Sequence, residues 1–168
     1  MRIRIRSETT ADILAIEAVT AGAFRDAPHT SHTEHFIVNA LRDAGQLAVS
    51  LVAEADGDVV GHIAISPVSI SDGSKHWYGL GPVSVSPQRQ RQGIGSQLMG
   101  RALDELRQLG AAGCVVLGYP DFYGRFGFNV VPEHILPELP PEYFQAICFG
   151  VETPAGKVSY HEAFNAQS

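Results

Sequence analysis

Val83-Ser84-Val85 alternates as a strand, breaks at Pro87 and passes through Gln88-Arg89-Gln90-Arg91-Gln92 into Gly93-Ile94-Gly95. An amphipathic helix follows. A helix start leaves backbone N–H groups without partners and carries partial positive charge. Glycines let an anion approach those amides closely. Arg89 and Arg91 add positive charge. The chemistry this spacing offers is phosphate or pyrophosphate binding. The competing explanation is that Gly93 and Gly95 only make a tight turn. Two familiar phosphate patterns are missing. There is no G-x-x-x-x-G-K-[ST], and Gly95 is followed next by Gly100, which breaks G-x-G-x-x-G.

Two other groups of residues could do chemistry. His29, His32 and His35 lie three apart beside Glu34, in "HTSHTEH". Three imidazoles and a carboxylate suit zinc. The stretch straddles a loop and a helix start, however, so the three need not converge, and no metal site is expected. Cys114 in "GCVVLG" and Cys148 in "AICFG" sit in apolar runs. They read as buried free thiols rather than nucleophiles, because no basic partner stands nearby in sequence.

Composition bounds the function classes. The 168 residues fit one domain, residues 1–168. The formal net charge of −6 argues against nucleic-acid partners, which need a basic face. No apolar run approaches a membrane span. "MRIRIRSETT" alternates like a strand and is not a signal peptide, so a cytoplasmic protein without a disulfide is expected.

The elements that must position the glycine loop can be read from periodicity. Arg2–Arg6 is a first strand. Ile13, Ile16, Glu17 and Thr20 lie at helical spacing behind the caps of 7–10. A second helix starts near Ser31 or Thr33 and runs to Ala44, with Gly45 as its stop. Leu47–Ala55 and Val59–Ile70 form a hairpin around Asp56-Gly57-Asp58. Trp77–Val85 is a fourth strand. The helix Gly95–Leu109 carries Leu98, Ala102, Leu106 and Leu109 on one face, and Gly110 and Gly113 end it. Val115–Leu117 is a short buried strand. Strand, helix and strand make a parallel β-α-β crossover. "VPEHILPELPPEY" (131–143) reads as a loop, Ala146–Val151 as a strand, and "GKVSYHEAF" as a last one. The fold class is α+β: a mixed, mostly antiparallel sheet of about seven strands flanked by helices, with one parallel crossover. An edge strand near the C-terminus favours a homodimer.

"VSVSPQRQRQGIGSQLMGRAL" resembles the acetyl-CoA motif of the GNAT superfamily of N-acetyltransferases. Gln90-Arg91-Gln92-Gly93-Ile94-Gly95 matches [QR]-x-x-G-x-[GA], behind Val85-Ser86-Pro87. Tyr123, Gly127 and Phe128 of "FYGRFGF" resemble the family's Y-x-x-x-G-F. With "LGPVSVSPQRQRQGIG" and the ending "GKVSYHEAF", the likeness extends to a YhbS-like branch. The resemblance implies the GNAT fold and acetyl-CoA as cosubstrate. It implies that Gln90, Arg91, Gln92, Gly93, Ile94, Gly95 and Ser96 form the pyrophosphate loop. It further implies that the backbone of Val83, Ser84 and Val85 pairs with the pantetheine arm. One N–H near Val85 then polarises the thioester carbonyl. The implied reaction is direct attack by a primary amine of a small molecule or peptide.

Tyr123 matches the family's general acid, against plain packing beside Phe122, Phe126 and Phe128. Tyr119 is a weaker stand-in. For the base, Glu54, His62 and Asp121 are candidates by rough location, as is a water chain. No N-x-x-A precedes Tyr123, so the family's asparagine contact is not carried over. Glu34 or His35 borders the acceptor side. A non-catalytic acyl-CoA-binding module is the alternative function, and a zinc hydrolase built on the histidines is a third.

Overall fold

The computed structural model describes residues 2–27, 30–118, 120–130, 134–135, 144–150 and 156–168. Nine strands form the sheet: β1 (Ile3–Ser7), β2 (Val49–Ala55), β3 (Asp58–Ile70), β4 (Trp77–Val85), β5 (Gly113–Leu117), β6 (Asn129–Val130), β7 (His134–Ile135), β8 (Phe144–Cys148) and β9 (Gly156–Tyr160). Their order is β1-β2-β3-β4-β5-β8-β6, with β9 pairing with β3 and with β7. The count exceeds the seven expected because β6 and β7 are two-residue pieces of irregular sequence. Both are too short to carry a periodic signal. Helices are α1 (Ile13–Phe24), α2 (Glu34–Asp43), α3 (Ile94–Gln108) and the single turn α4 (Pro120–Tyr123).

The alternation of β2 and β3 splits the core between two faces. Leu51, Ala53, Ile63 and Ile65 point to α3, where Leu98, Met99, Ala102 and Leu106 meet them. Val52 and Ala64 point the other way, onto Ile16 of α1 and Val38 of α2. Helices therefore cover both faces of a sheet whose strands are mostly antiparallel. The expected parallel crossover is β4-α3-β5, and a second, short parallel pair joins β7 to β9.

Three expectations need correction. Leu109 is 54% exposed, because α3 ends one residue earlier and turns through Gly110 at φ +78°. Gly113 does not end the helix but starts β5. A Cβ there would stand 2.3 Å from the Trp77 ring, so glycine is required for packing. The strand expected at 146–151 lies at Phe144–Cys148. The Phe149 N–H instead bonds to Ala112 O at 2.8 Å, which turns the chain away. Cys114 is fully buried, while Cys148 is half-buried, with its Sγ 3.5 Å from Gly150 O.

Ion pairs tie β1 to its neighbours. Arg6 clasps Asp12 at 2.7 and 3.0 Å and reaches Glu54 at 3.0 Å. Arg42 of α2 clasps Glu8 at 2.8 and 2.9 Å. Glu8 also accepts from the Ser50 hydroxyl, which lies 2.8 Å from His62 Nε2. The guanidinium of Arg6 holds the Asp12 carboxyl well below its ordinary range. Bonds from His62, Arg42 and Ser50 outweigh the burial of Glu8 and hold it low too. Burial pushes the His62 imidazole down.

All three groups bind fewer protons folded than unfolded, so stability rises with pH through their titrations. We expect stability to be full at neutral pH. It should start to fall below about pH 6.5 as His62 is forced to charge, and more steeply below about pH 4 as Glu8 and Asp12 protonate. Glu8→Gln should cost about 2 kcal/mol at pH 7 by leaving the largely buried Arg42 charge without its carboxylate, and should flatten the acid limb. Urea unfolding from pH 3 to 8 measures both.

Candidate active site

β4 and β5 begin together and then part. Their parallel pairing runs from Trp77↔Gly113 to Leu80↔Val116 and stops, while β4 continues to Val85. On its other edge β4 stays paired with β3 up to Gly61↔Val85. Successive residues of an extended strand present their N–H and C=O to alternate edges. The Ser86 N–H bonds to Val60 O at 2.8 Å, toward β3. Val83 and Val85 therefore turn their backbone groups to the edge that β5 has left. Gln90 Nε2 takes one of these, Val85 O, at 3.1 Å. This ties the loop to the end of the strand.

A bulge decides which side chains line the gap. Ile63 faces Val83 but Ile65 faces Leu80, so β4 carries one extra residue, with Gly81 at φ +131°. The bulge shifts the alternation, so that Val83 and Val85 share the α3 face with Leu80. Ser84 turns to the other face and is 1% exposed.

The loop at the end of β4 closes the cleft. Gly93 is the N-cap of α3 at φ +83°, and Arg91 is also left-handed at φ +66°. The first helical bond in this turn is Gln97 N–H to Gly93 O, 3.1 Å. The amides of Ile94, Gly95 and Ser96 precede it and have no partner four residues back. Gly95 is informative because the chain does not require a glycine there. Its φ is ordinary, and a Cβ would meet Phe122 at 3.8 Å and Val85 at 3.9 Å, ordinary contact distances. Turn geometry explains Gly93 but not Gly95.

The resulting cleft has a volume of ≈ 540 Å³. It is lined by the loop, by Val83 and Val85, and by Phe122, Tyr123 and Arg125. Arg89, Arg91 and Arg125 bring positive charge to it, and no carboxylate among the described residues lines it. Arg125 was not singled out by sequence. Its place follows from "FYGRFGF", where its guanidinium lies 4.8 Å from the Phe122 ring centre. The side chains of Ser84 and Gln92 do not line the cleft; Gln92 Nε2 points to Gln88 O at 3.4 Å.

Tyr123 ends α4 and leans its ring on Gly118, where a Cβ would stand 2.3 Å from Cε2. Phe122 and Phe128 meet it edge-on at 5.0 and 6.0 Å. Burial pushes the phenol up to about 12. It is therefore a neutral donor throughout the physiological range.

None of the candidate bases lines this cleft. Glu54 is bound to Arg6. His62 is completely buried under the α1–α2 layer beside Ser50. Asp121 is exposed on α4. His32, His35 and Glu34 line a separate depression with Arg25. His29 and Tyr119 lie outside the described residues. Among the described residues no three His, Cys, Asp or Glu side chains group as a metal site.

A split sheet with a helix mouth at the split defines the GNAT class of acetyltransferase. The model of the Acetyltransferase (GNAT) family matches residues 13–128, and the chain belongs to that family. It is 34% identical to the N-acetyltransferase YhbS of Escherichia coli, over 96% of this chain and 98% of that protein. A crystal structure of YhbS in complex with CoA superposes with TM-score 0.85, covering 100% of this chain and 94% of that one. A GNAT family acetyltransferase from Brucella melitensis in complex with acetyl-CoA is 48% identical, with TM-score 0.87 over 97% of this chain and 98% of that one. The YhbS-like branch assignment rests on these likenesses.

Gly118→Ala tests the seat of Tyr123. The added methyl overlaps the ring, so the variant should lose about 1–3 kcal/mol of stability. Its tyrosine fluorescence should become more exposed to acrylamide quenching. An unchanged unfolding midpoint and quenching would remove Gly118 from that role.

Proposed function

We propose that the cleft binds acetyl-CoA and that the enzyme transfers its acetyl group to a primary amine by direct attack. The observation that carries this reading is the edge of β4 that β5 leaves at Val83 and Val85, opening beside a positively charged helix mouth. The pantetheine arm bears amides at strand-like spacing, so it suits a vacant strand edge. The pyrophosphate suits the amides of Arg91 to Ser96, with Arg89 and Arg125 nearby. The acetyl-CoA and CoA complexes of the two similar proteins support the ligand.

The chemistry needs little from the protein. The attacking amine must arrive neutral. Its nitrogen adds to the thioester carbon, and the carbonyl oxygen gains negative charge that an N–H near Val85 stabilises. The C–S bond then breaks, and the sulfur leaves as a thiolate. Tyr123 lies at the cleft with its hydroxyl protonated. A phenol at about 12 is a much weaker acid than a thiol near 8.5. Tyr123 therefore serves as a hydrogen-bond donor to the developing thiolate more than as a complete proton donor. No metal ion is required, because a thiolate leaves readily. The amine's proton leaves through water, since no described carboxylate or imidazole lines the cleft. Cys114 and Cys148 as thiols suit a reducing, cytoplasmic setting.

Turnover tests the reading. Release of free CoA from acetyl-CoA can be followed with a thiol reagent against 1,4-diaminobutane, 2-phenylethylamine, a peptide with a free α-amine and a lysine peptide. At least one should accelerate release well above the rate without amine. Background release alone with every amine would favour the non-catalytic acyl-CoA-binding alternative.

Two variants separate binding from chemistry. Gly95→Ala should raise stability by about 0.5–1 kcal/mol, since alanine favours a helix. It should weaken acetyl-CoA binding by about 10-fold through crowding of the loop, and calorimetry reads both. Tyr123→Phe should leave the acetyl-CoA Kd unchanged and slow kcat by about 10- to 100-fold, at the low end for acid catalysis because the leaving group is good. The wild type should show no alkaline loss of activity between pH 7 and 10, where the phenol stays protonated.

A further inference from the structure

Tyr160 ends β9, which is held to β3 by Val68↔Tyr160, Ser69↔Ser159 and Ile70↔Val158. Its ring reaches over β4. A Cβ on Gly79 would stand 2.5 Å from Cε1 and 3.0 Å from Cδ1, so glycine at 79 makes room for this ring. Gly79 pairs with Val115, one step before Leu80↔Val116, the last pair before β4 and β5 separate. Tyr160 also packs in the cluster that contains Val115, whereas Leu80, Val83 and Val85 belong to the α3 side. The ring thus arrives at the root of the split on the face opposite the cleft.

Its hydroxyl is buried there and has no hydrogen-bond partner among the described residues. Such an atom normally costs about 1–3 kcal/mol, and native structures rarely leave one so. Burial pushes the phenol up, and Cys114 and Tyr123 add smaller pushes in the same direction. Tyr160 therefore stays a neutral phenol, on the face opposite the one where Tyr123 packs.

We propose that the Tyr160 hydroxyl positions the acceptor amine, taking one of its N–H bonds at the root of the split from the face opposite the acetyl-CoA cleft. The inference rests on the transferase reading above. In this proposal acetyl-CoA fills the α3 side, and the amine comes to the thioester carbon from the other face, where the pairing of β4 and β5 ends at Leu80↔Val116. An amine has a lone pair to aim and N–H bonds to anchor. A phenol oxygen that accepts one N–H fixes the direction of the lone pair. Tyr160 exchanges no proton in this role; Tyr123 serves the departing sulfur and Tyr160 the arriving nitrogen.

Tyr160→Phe tests the proposal with whichever of the four amines above gives the fastest wild-type turnover. The ring and its seat on Gly79 remain, so the variant should fold. Removing an unsatisfied buried hydroxyl should leave Tm unchanged or raise it. The acetyl-CoA Kd should be unchanged, while kcat/KM for the amine falls roughly 5- to 10-fold, the value of one neutral hydrogen bond. Gly79→Ala, which displaces the ring, should lower the same constant at least as far. An unchanged kcat/KM in Tyr160→Phe overturns the proposal. A clear drop in Tm also overturns it, because the hydroxyl would then have a structural partner. Wild-type protein that turns over none of the four amines removes the transferase reading itself, and this inference with it.

Discussion

The site depends on one mismatch of pairing. β4 keeps its partner on one edge to Val85 and loses its partner on the other after Leu80. An unpaired strand edge inside a folded protein is costly, because each backbone N–H and C=O held from water needs a partner. Here the cost is tolerable because the edge faces a cleft. The bulge at Gly81 then keeps Val83 and Val85 facing that cleft, and Gln90 pins the loop to the strand end. The helix mouth and the free strand edge are thereby brought to one cleft.

Two tyrosines frame the split from opposite faces, and each sits on a glycine. Tyr123 rests on Gly118 at the cleft, and Tyr160 rests on Gly79 behind it. Both phenols are raised by burial, so neither ionises near neutral pH. The arrangement supplies hydrogen bonds in a place of low polarity, where they are stronger than in water. It supplies no strong base. That fits a reaction in which the nucleophile needs orientation and the leaving group departs easily. The charged networks of Glu8, Arg42, Arg6 and Asp12 lie elsewhere, joining β1 to α2 and β2. They stabilise the scaffold without entering the cleft.

Much of this was legible in the sequence, for local reasons. Trp77–Val85 was read with the bounds observed, because its flanking turns are strong. Gly93-x-Gly95 announced a helix mouth, and "FYGRFGF" announced an aromatic turn beside it. What stayed hidden is non-local. The point at which β4 and β5 part depends on register between strands 36 residues apart at Leu80 and Val116. The bulge reverses the alternation that a plain strand pattern gives for residues 83–85. Gly113 looked like punctuation, but it is space for Trp77, and Gly79, which no motif singled out, is space for Tyr160. His62 looked available for catalysis, yet its strand carries it under the α1–α2 layer. No pattern along the chain shows which ring will cover which glycine.

The central claim is that the vacant edge of β4 pairs with the acetyl-CoA arm. Amide hydrogen exchange at Val83 and Val85, resolved by NMR with and without saturating acetyl-CoA, addresses it directly. The account predicts free exchange without ligand at these two positions and strong protection with it, while Ser86, already bonded to Val60, changes little. Protection confined to the α3 mouth, with Val83 and Val85 unchanged, would contradict it.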